Sequence, residues 1–289
     1  MANVTRVDGS GAFTLADVDP AEGGGETGET GGTSQRRLRD LTRELLELQG
    51  LVQAAERHGV LIVLQGMDAA GKDVTIQQAL GMANPEAIRV KHFSTMTEEE
   101  ALHDFTWRAH LAAPKRGEWV VFDRSYYEQL ILPQVQDETS SDDDGEPAGV
   151  EERFGDVVAF ESILRHGGTI LIKIFLHVSA EEQERRLVER MEDDETAWKI
   201  SAKDWVAHRN WDRYMAAWER TIQATATPEA PWMVVPADDE AARDLAVAEL
   251  LVARLRPYRD EWTRERRRIG REKREEALPE APEQVRASA

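Results

Sequence analysis

Gly66, Gly71 and Lys72 have the spacing Gly-x4-Gly-Lys, within the stretch GMDAAGKDVTI that covers residues 66–76. That pattern is chemistry for phosphates. Glycines let a loop turn its backbone N–H groups inward, a following helix adds positive potential at its N-terminus, and a lysine ammonium reaches the outer phosphates. Gly66, Ala69, Ala70, Gly71, Lys72 and Asp73 are therefore read as the phosphate-binding segment. Asp73 stands where Ser or Thr usually offers magnesium a hydroxyl, so a metal must be held otherwise, and the carboxylate of Asp68 inside the loop is the first candidate. The plain alternative is a glycine-rich turn with a surface lysine. The apolar run 60–64 before the loop and the helical pattern of 76–80 after it weigh against that, since the motif needs a strand on one side and a helix on the other.

A second acid follows the apolar run 118–122. Asp123 is expected at the carboxyl end of a buried strand, where phosphoryl-transfer enzymes built on parallel sheets place a second magnesium-directed carboxylate. Asp68 and Asp123 should then converge on one metal. The competing role for Asp123 is a helix cap, with Arg124 as its surface ion pair. Further on, Arg186 and Arg190 share a helix face, where they can grip phosphate or pair with Glu181, Glu182 and Glu189. In the segment HDFTWR (103–108), Phe105 and Trp107 read as core, and Arg108 as a candidate nucleotide contact together with Asp68 and Arg124.

The elements that must hold these groups are legible from periodicity. Residues 35–57 carry leucines at helical spacing, and the runs 87–93, 169–178 and 231–236 join 60–64 and 118–122 as strands. Thr97 with Glu98, Glu99 and Glu100 predicts a helix start, and that helix should carry on through His110. Ser179 and Glu182 make a capping box for the helix of the arginines. A polar break near 192–201 leads to a long helix bearing Trp205, Trp211, Tyr214 and Trp218. Residues 185–225 are read as a helical lid, which suits phosphoryl transfer because closure excludes water. A closing amphipathic helix covers 240–255. Strands alternating with helices predict a three-layer α/β/α domain over 35–257, around a mainly parallel five-stranded sheet. Residues 1–34 read as a disordered leader, 136–152 as a solvated acidic loop, and 258–289 as a charged helix with a flexible tail.

Composition narrows the classes. The chain has 289 residues, ordinary hydrophobic content of 41% and no cysteine, which removes disulfides and thiolate chemistry and fits a cytoplasmic protein. No apolar run nears the roughly 20 residues that cross a bilayer, so no membrane role is expected. A formal charge of −19 argues against a nucleic-acid binder, which normally shows a basic face.

Taken together, GMDAAGKDVTI, HDFTWR, FDRSYYE, FLHVSAEEQERR, WKIS, WDRYMAA and APWMVVPAD, in that order, resemble the polyphosphate kinase 2 family. The resemblance runs over about 38–255. It implies a P-loop kinase-like domain with a helical lid that moves a terminal phosphoryl group between inorganic polyphosphate and nucleoside mono- or diphosphates. Magnesium, or manganese in its place, would be the cofactor, and the wording is closest to the branch accepting AMP as well as ADP. It further implies Asp68 and Asp123 on metal, Lys72 and Arg124 on the reacting phosphates, and Arg186, Arg190 and Lys199 along the polyphosphate path. A homo-oligomer, dimer or tetramer, is expected on the same ground. Val74, Ser94 and Thr196 depart from the family's usual glycine and two lysines. An ATP-dependent kinase on the same fold, and a binding protein without turnover, are the rival readings.

Overall fold

The computed structural model describes residues 4–23, 31–81, 83–135 and 149–280. Its centre is a sheet whose inner strands are mostly apolar, because helices cover both faces. In chain order the elements are β1 (Thr5–Val7), α1 (Gly31–Ala55), β2 (Gly59–Gly66), α2 (Lys72–Leu80), β3 (Ile88–His92), α3 (Trp107–Ala112), β4 (Trp119–Asp123) and α4 (Glu128–Val135). The second half adds α5 (Val150–His166), β5 (Thr169–His177), α6 (Ala180–Glu192), α7 (Ala202–Arg209), α8 (Trp211–Thr225), β6 (Trp232–Pro236), α9 (Glu240–Leu255) and α10 (Arg259–Ala277).

The strands lie in the order β1-β6-β5-β2-β4-β3. All neighbouring pairs are parallel except β1 with β6. The chain leaves β2 for one side of the sheet and returns for the other, so the reversal of strand order falls beside β2. Ligands of such sheets bind beyond the carboxyl ends at this reversal. Helices α1, α2, α9 and α10 pack together on one side, and α4, α5 and α8 on the other. Residues 60–64 of β2 and 119–122 of β4 are all buried, and Leu64 pairs in register with Asp123. Register alone therefore brings the loop after β2 and the acid ending β4 to the same end of the molecule.

Five strands stand where periodicity puts them; a sixth was not expected. The segment read as a disordered leader contains β1, which caps the β6 edge, and it buries Val7, Leu15 and Val18. Its apolar residues are few but well spaced for a strap across the sheet edge. Glu219 accepts from the Leu15 N–H and Pro20 O accepts from Asp238 N–H, tying the strap down. The helix expected from Thr97 breaks in two. A single turn at Glu100–Leu102 ends at His103, and α3 begins only at Trp107 because Asp104 Oδ1 takes the N–H and hydroxyl of Thr106. The long lid helix likewise divides at Asn210 into α7 and α8. Residues 136–148 of the acidic stretch lie outside the described residues, while Glu151 and Glu152 open α5, where acids suit the helix dipole. No helix among the described residues is long and apolar enough to cross a membrane.

Candidate active site

The loop from Gly66 to Lys72 is held by its carbonyls. Lys72 Nζ donates to Gly66 O at 3.0 Å and Met67 O at 3.1 Å, and Gln183 Nε2 of α6 donates to Asp68 O at 2.9 Å. Arg186 of α6 donates to Ala69 O at 3.2 Å, and Arg243 of α9 reaches Ala70 O at 3.4 Å. Five successive carbonyls thus accept from side chains of three helices. Carbonyls held in this way fix the peptide planes of the loop, and an anion cradle needs such fixed planes; the Ala70 N–H itself turns back to Met67 O at 3.1 Å. Gly71 turns with φ +96°, and a Cβ there would lie 1.9 Å from Arg243 NH1. Only glycine lets the buried arginine come so close.

A cavity of about 820 Å³ opens over this loop. Asp68, Ala69, Gly71, Lys72 and Asp73 form one wall, and Asp123, Arg124 and His92 another. Arg186, Arg190, Thr196, Trp198, Lys199 and Asp204 close it from the helices that follow β5. Gly66 and Ala70 stay behind the wall. Arg124, in the left-handed region at φ +59°, donates to Asp68 Oδ1 and so joins the end of β4 to the loop after β2. Burial pushes the Asp68 carboxyl up, yet Lys72 and Arg124 outweigh it and hold the group below the usual carboxylate range. Asp123 is 6% exposed; its Oδ2 bonds His92 Nδ1 at 2.8 Å, and its buried Oδ1 has no partner.

That orphan oxygen is the observation that fits a cation. The donors in reach are carboxylates, the hard oxygen ligands preferred by magnesium and manganese, which normally complete their shells with water and substrate phosphate. Among the described residues no group of three or more His, Cys, Asp or Glu could hold an ion by itself, so phosphate oxygens would have to contribute.

Other expected contacts fall differently. Arg186 is buried and its donors go to Glu182, Ala69 O, Ala237 O and Asp238 O, so it braces the loop at the edge of the cavity. Arg190, one turn on, lines the cavity and has no ion pair with a described residue. Lys199 reaches 3.7 Å from Asp73, across the cavity mouth. Arg108 is not brought to the cavity. It is 5% exposed, donates to Ser94 O at 2.8 Å and lies over the Phe93 ring, a packing position.

Residue spacing did not single out Glu128, His92, Gln183, Asp204 or Arg243. Glu128 closes the motif FDRSYYE; burial raises its carboxyl, Arg124 and Lys72 oppose this, and Asp68 and Asp123 add to it. Behind it, Tyr126 and Tyr127 both donate to the buried Glu161, which also pairs with Lys173 of β5 at 2.8 Å. This anchor fixes the chain immediately after Asp123 and Arg124.

A phosphate loop braced by its carbonyls, at the reversal point of a parallel sheet, defines the class: P-loop kinase-like α/β proteins. Comparison narrows it to one family. Residues 30–261 match polyphosphate kinase 2, and the chain belongs to that family. It is 39% identical to an AMP/ADP-polyphosphate phosphotransferase of Meiothermus ruber, over 86% of this chain and 91% of the relative. It is 37% identical to an ADP-polyphosphate phosphotransferase of Rhodopseudomonas palustris, over 74% of this chain and 76% of that one. The crystal structure of polyphosphate kinase 2 from Arthrobacter aurescens TC1 superposes with a TM-score of 0.78 at 34% identity, covering 86% and 87% of the two chains.

Proposed function

We propose that this protein transfers the terminal phosphoryl group of inorganic polyphosphate to nucleoside diphosphates and monophosphates, making ATP from ADP and ADP from AMP. The observation that carries the reading is the loop of five braced carbonyls beside a cavity shared by Asp68, Lys72, Asp123 and Arg124. In this reading an oxygen of the acceptor's terminal phosphate attacks the last phosphorus of the chain in line. The bond to the bridging oxygen breaks, and polyphosphate leaves one unit shorter. Loop N–H groups hold the donor phosphates, and Lys72, with two of its three N–H bonds anchored on the loop, has one for a phosphate oxygen. Arg124 offsets charge on the transferring oxygens. Lys199 and Arg190 receive the polyphosphate from the open side. Asp68 and Asp123 would hold magnesium, or manganese, whose part is to neutralise charge on the phosphates. Positioning and preorganised charge supply most of the acceleration in such chemistry.

The reading includes a cytoplasmic location, as the lack of cysteine suits a reducing compartment, and a homo-oligomer. Its test is product analysis with ADP, AMP or GDP plus long-chain polyphosphate and magnesium, and in parallel with ATP plus acceptor alone. Transfer from polyphosphate is expected. Transfer only from ATP would make the protein an ordinary nucleotide kinase. Asp123→Asn is expected to lower kcat by about 100-fold or more, the scale of removing a principal electrostatic group, and an active variant would remove that carboxylate from the chemistry.

A further inference from the structure

Gln183 is fully buried on the face of α6 turned to the loop, and both ends of its amide are engaged. Nε2 donates to the Asp68 carbonyl at 2.9 Å, and Oε1 lies 2.9 Å from Nδ1 of His208 in α7. The first bond fixes the second. A carbonyl can only accept, so the amide nitrogen must face Asp68, the amide oxygen must face the imidazole, and His208 must carry a proton on Nδ1.

His208 is itself held in place. The rings of Trp205 and Trp211 flank it with centroids 6.1 and 6.4 Å away, and its Nε2 lies 3.8 Å from Glu184. One turn earlier, Asp204 is buried, accepts from the Ser201 N–H and hydroxyl at the start of α7, and lines the same cavity as Asp68. Helix α7 is therefore tied to the Asp68 carbonyl through Gln183. Breaking the His208 bond would leave the buried Gln183 oxygen unpaired, so the arrangement favours contact.

We propose that Gln183 and His208 are positioning residues that latch α7 over the cradle and orient the Asp68 peptide, so that closure of the lid and presentation of its carboxylate are one event. Neither touches substrate. The meaning of the latched state rests on the phosphotransferase reading, but the latch itself can be measured without turnover.

The experiment is hydrogen–deuterium exchange on the full chain, with His208→Leu, which keeps bulk without a donor, and His208→Asn, whose side-chain N–H stands near the place of Nδ1. His208→Leu is expected to speed exchange in 202–209 and in 67–73 together by about tenfold, the scale of one lost hydrogen bond, while His208→Asn stays near the parent. Gln183→Met, which keeps side-chain length without either polar contact, should repeat the His208→Leu result. In transfer assays kcat is expected to fall with the Leu variant and recover with Asn, with the KM for ADP little changed. Unchanged exchange in both His208→Leu and Gln183→Met overturns the latch, and so does equal loss of protection in the Leu and Asn variants. A parent protein that transfers nothing from polyphosphate, yet shows this exchange pattern, overturns the proposed function and supports the latch.

Discussion

Arg186 and Arg190 are one helical turn apart and identical in type, and both line the cavity, yet the fold engages them differently. The first is buried with its donors on Glu182 and three carbonyls, and the second has no ion pair with a described residue. Spacing places both on one face but cannot say which of them the loop will cover. Glu128 shows the same gap between motif and environment, and it makes a prediction with a sign. Its folded-state pKa is raised by burial and by Asp68 and Asp123 against Arg124 and Lys72. The folded state then holds the proton longer than the unfolded chain, so stability falls as pH rises from the unfolded value, about 4.3, through the folded one. Glu128→Gln is expected to raise Tm by a few degrees at pH 8 and not at pH 4. Thermal melts at both pH values check this, and an equal shift at each would show that the charge is not the cost. The catalytic candidates on the loop were legible because their backbone requirements are local. Gly71 is marked by spacing alone, though the side chain that makes it irreplaceable, Arg243, lies far along the chain.

At the level of elements, the parallel strands were readable because burial on both faces turns them into continuous apolar runs, such as VLIVL at 60–64 and the stretch TILIKIFLH at 169–177. The lysine within the second run is the exception. Lys173 and Glu161 form a buried pair linking β5 to α5, with Tyr126 and Tyr127 on the same carboxylate and Thr225 O on the same ammonium. Removing one partner of such a pair typically costs about 3–5 kcal/mol, whereas removing both can be nearly neutral. Lys173→Met alone is expected to fall in that range by urea denaturation, and adding Glu161→Gln should recover part of it. A loss that simply doubles in the double variant would deny the coupling. Breaks inside helices were not legible, since both arise from side chains that compete for backbone groups: Asp104 before α3, and Asn210, whose Nδ2 donates to Val206 O between α7 and α8.

For the whole molecule, a short strap read as polar leader became part of the sheet. Without β1 the β6 edge lies open, and the core loses the burial of Val7, Leu15 and Val18, each worth about 1.5–3 kcal/mol when fully buried. Removing residues 1–20 is expected to lower Tm by several degrees and to promote aggregation, since an unprotected strand edge invites pairing; an unchanged melt would mean the strap is ornamental. Long-range contacts of this kind leave little trace in composition. The braced carbonyls of the phosphate loop also tie it to distant parts of the chain. Its tethers are encoded far behind it: Gln183 lies 115 residues beyond Asp68, Arg186 117 beyond Ala69 and Arg243 173 beyond Ala70. The loop is thus a short local motif whose carbonyls from Asp68 to Ala70 acquire their partners only when α6 and α9 dock on it.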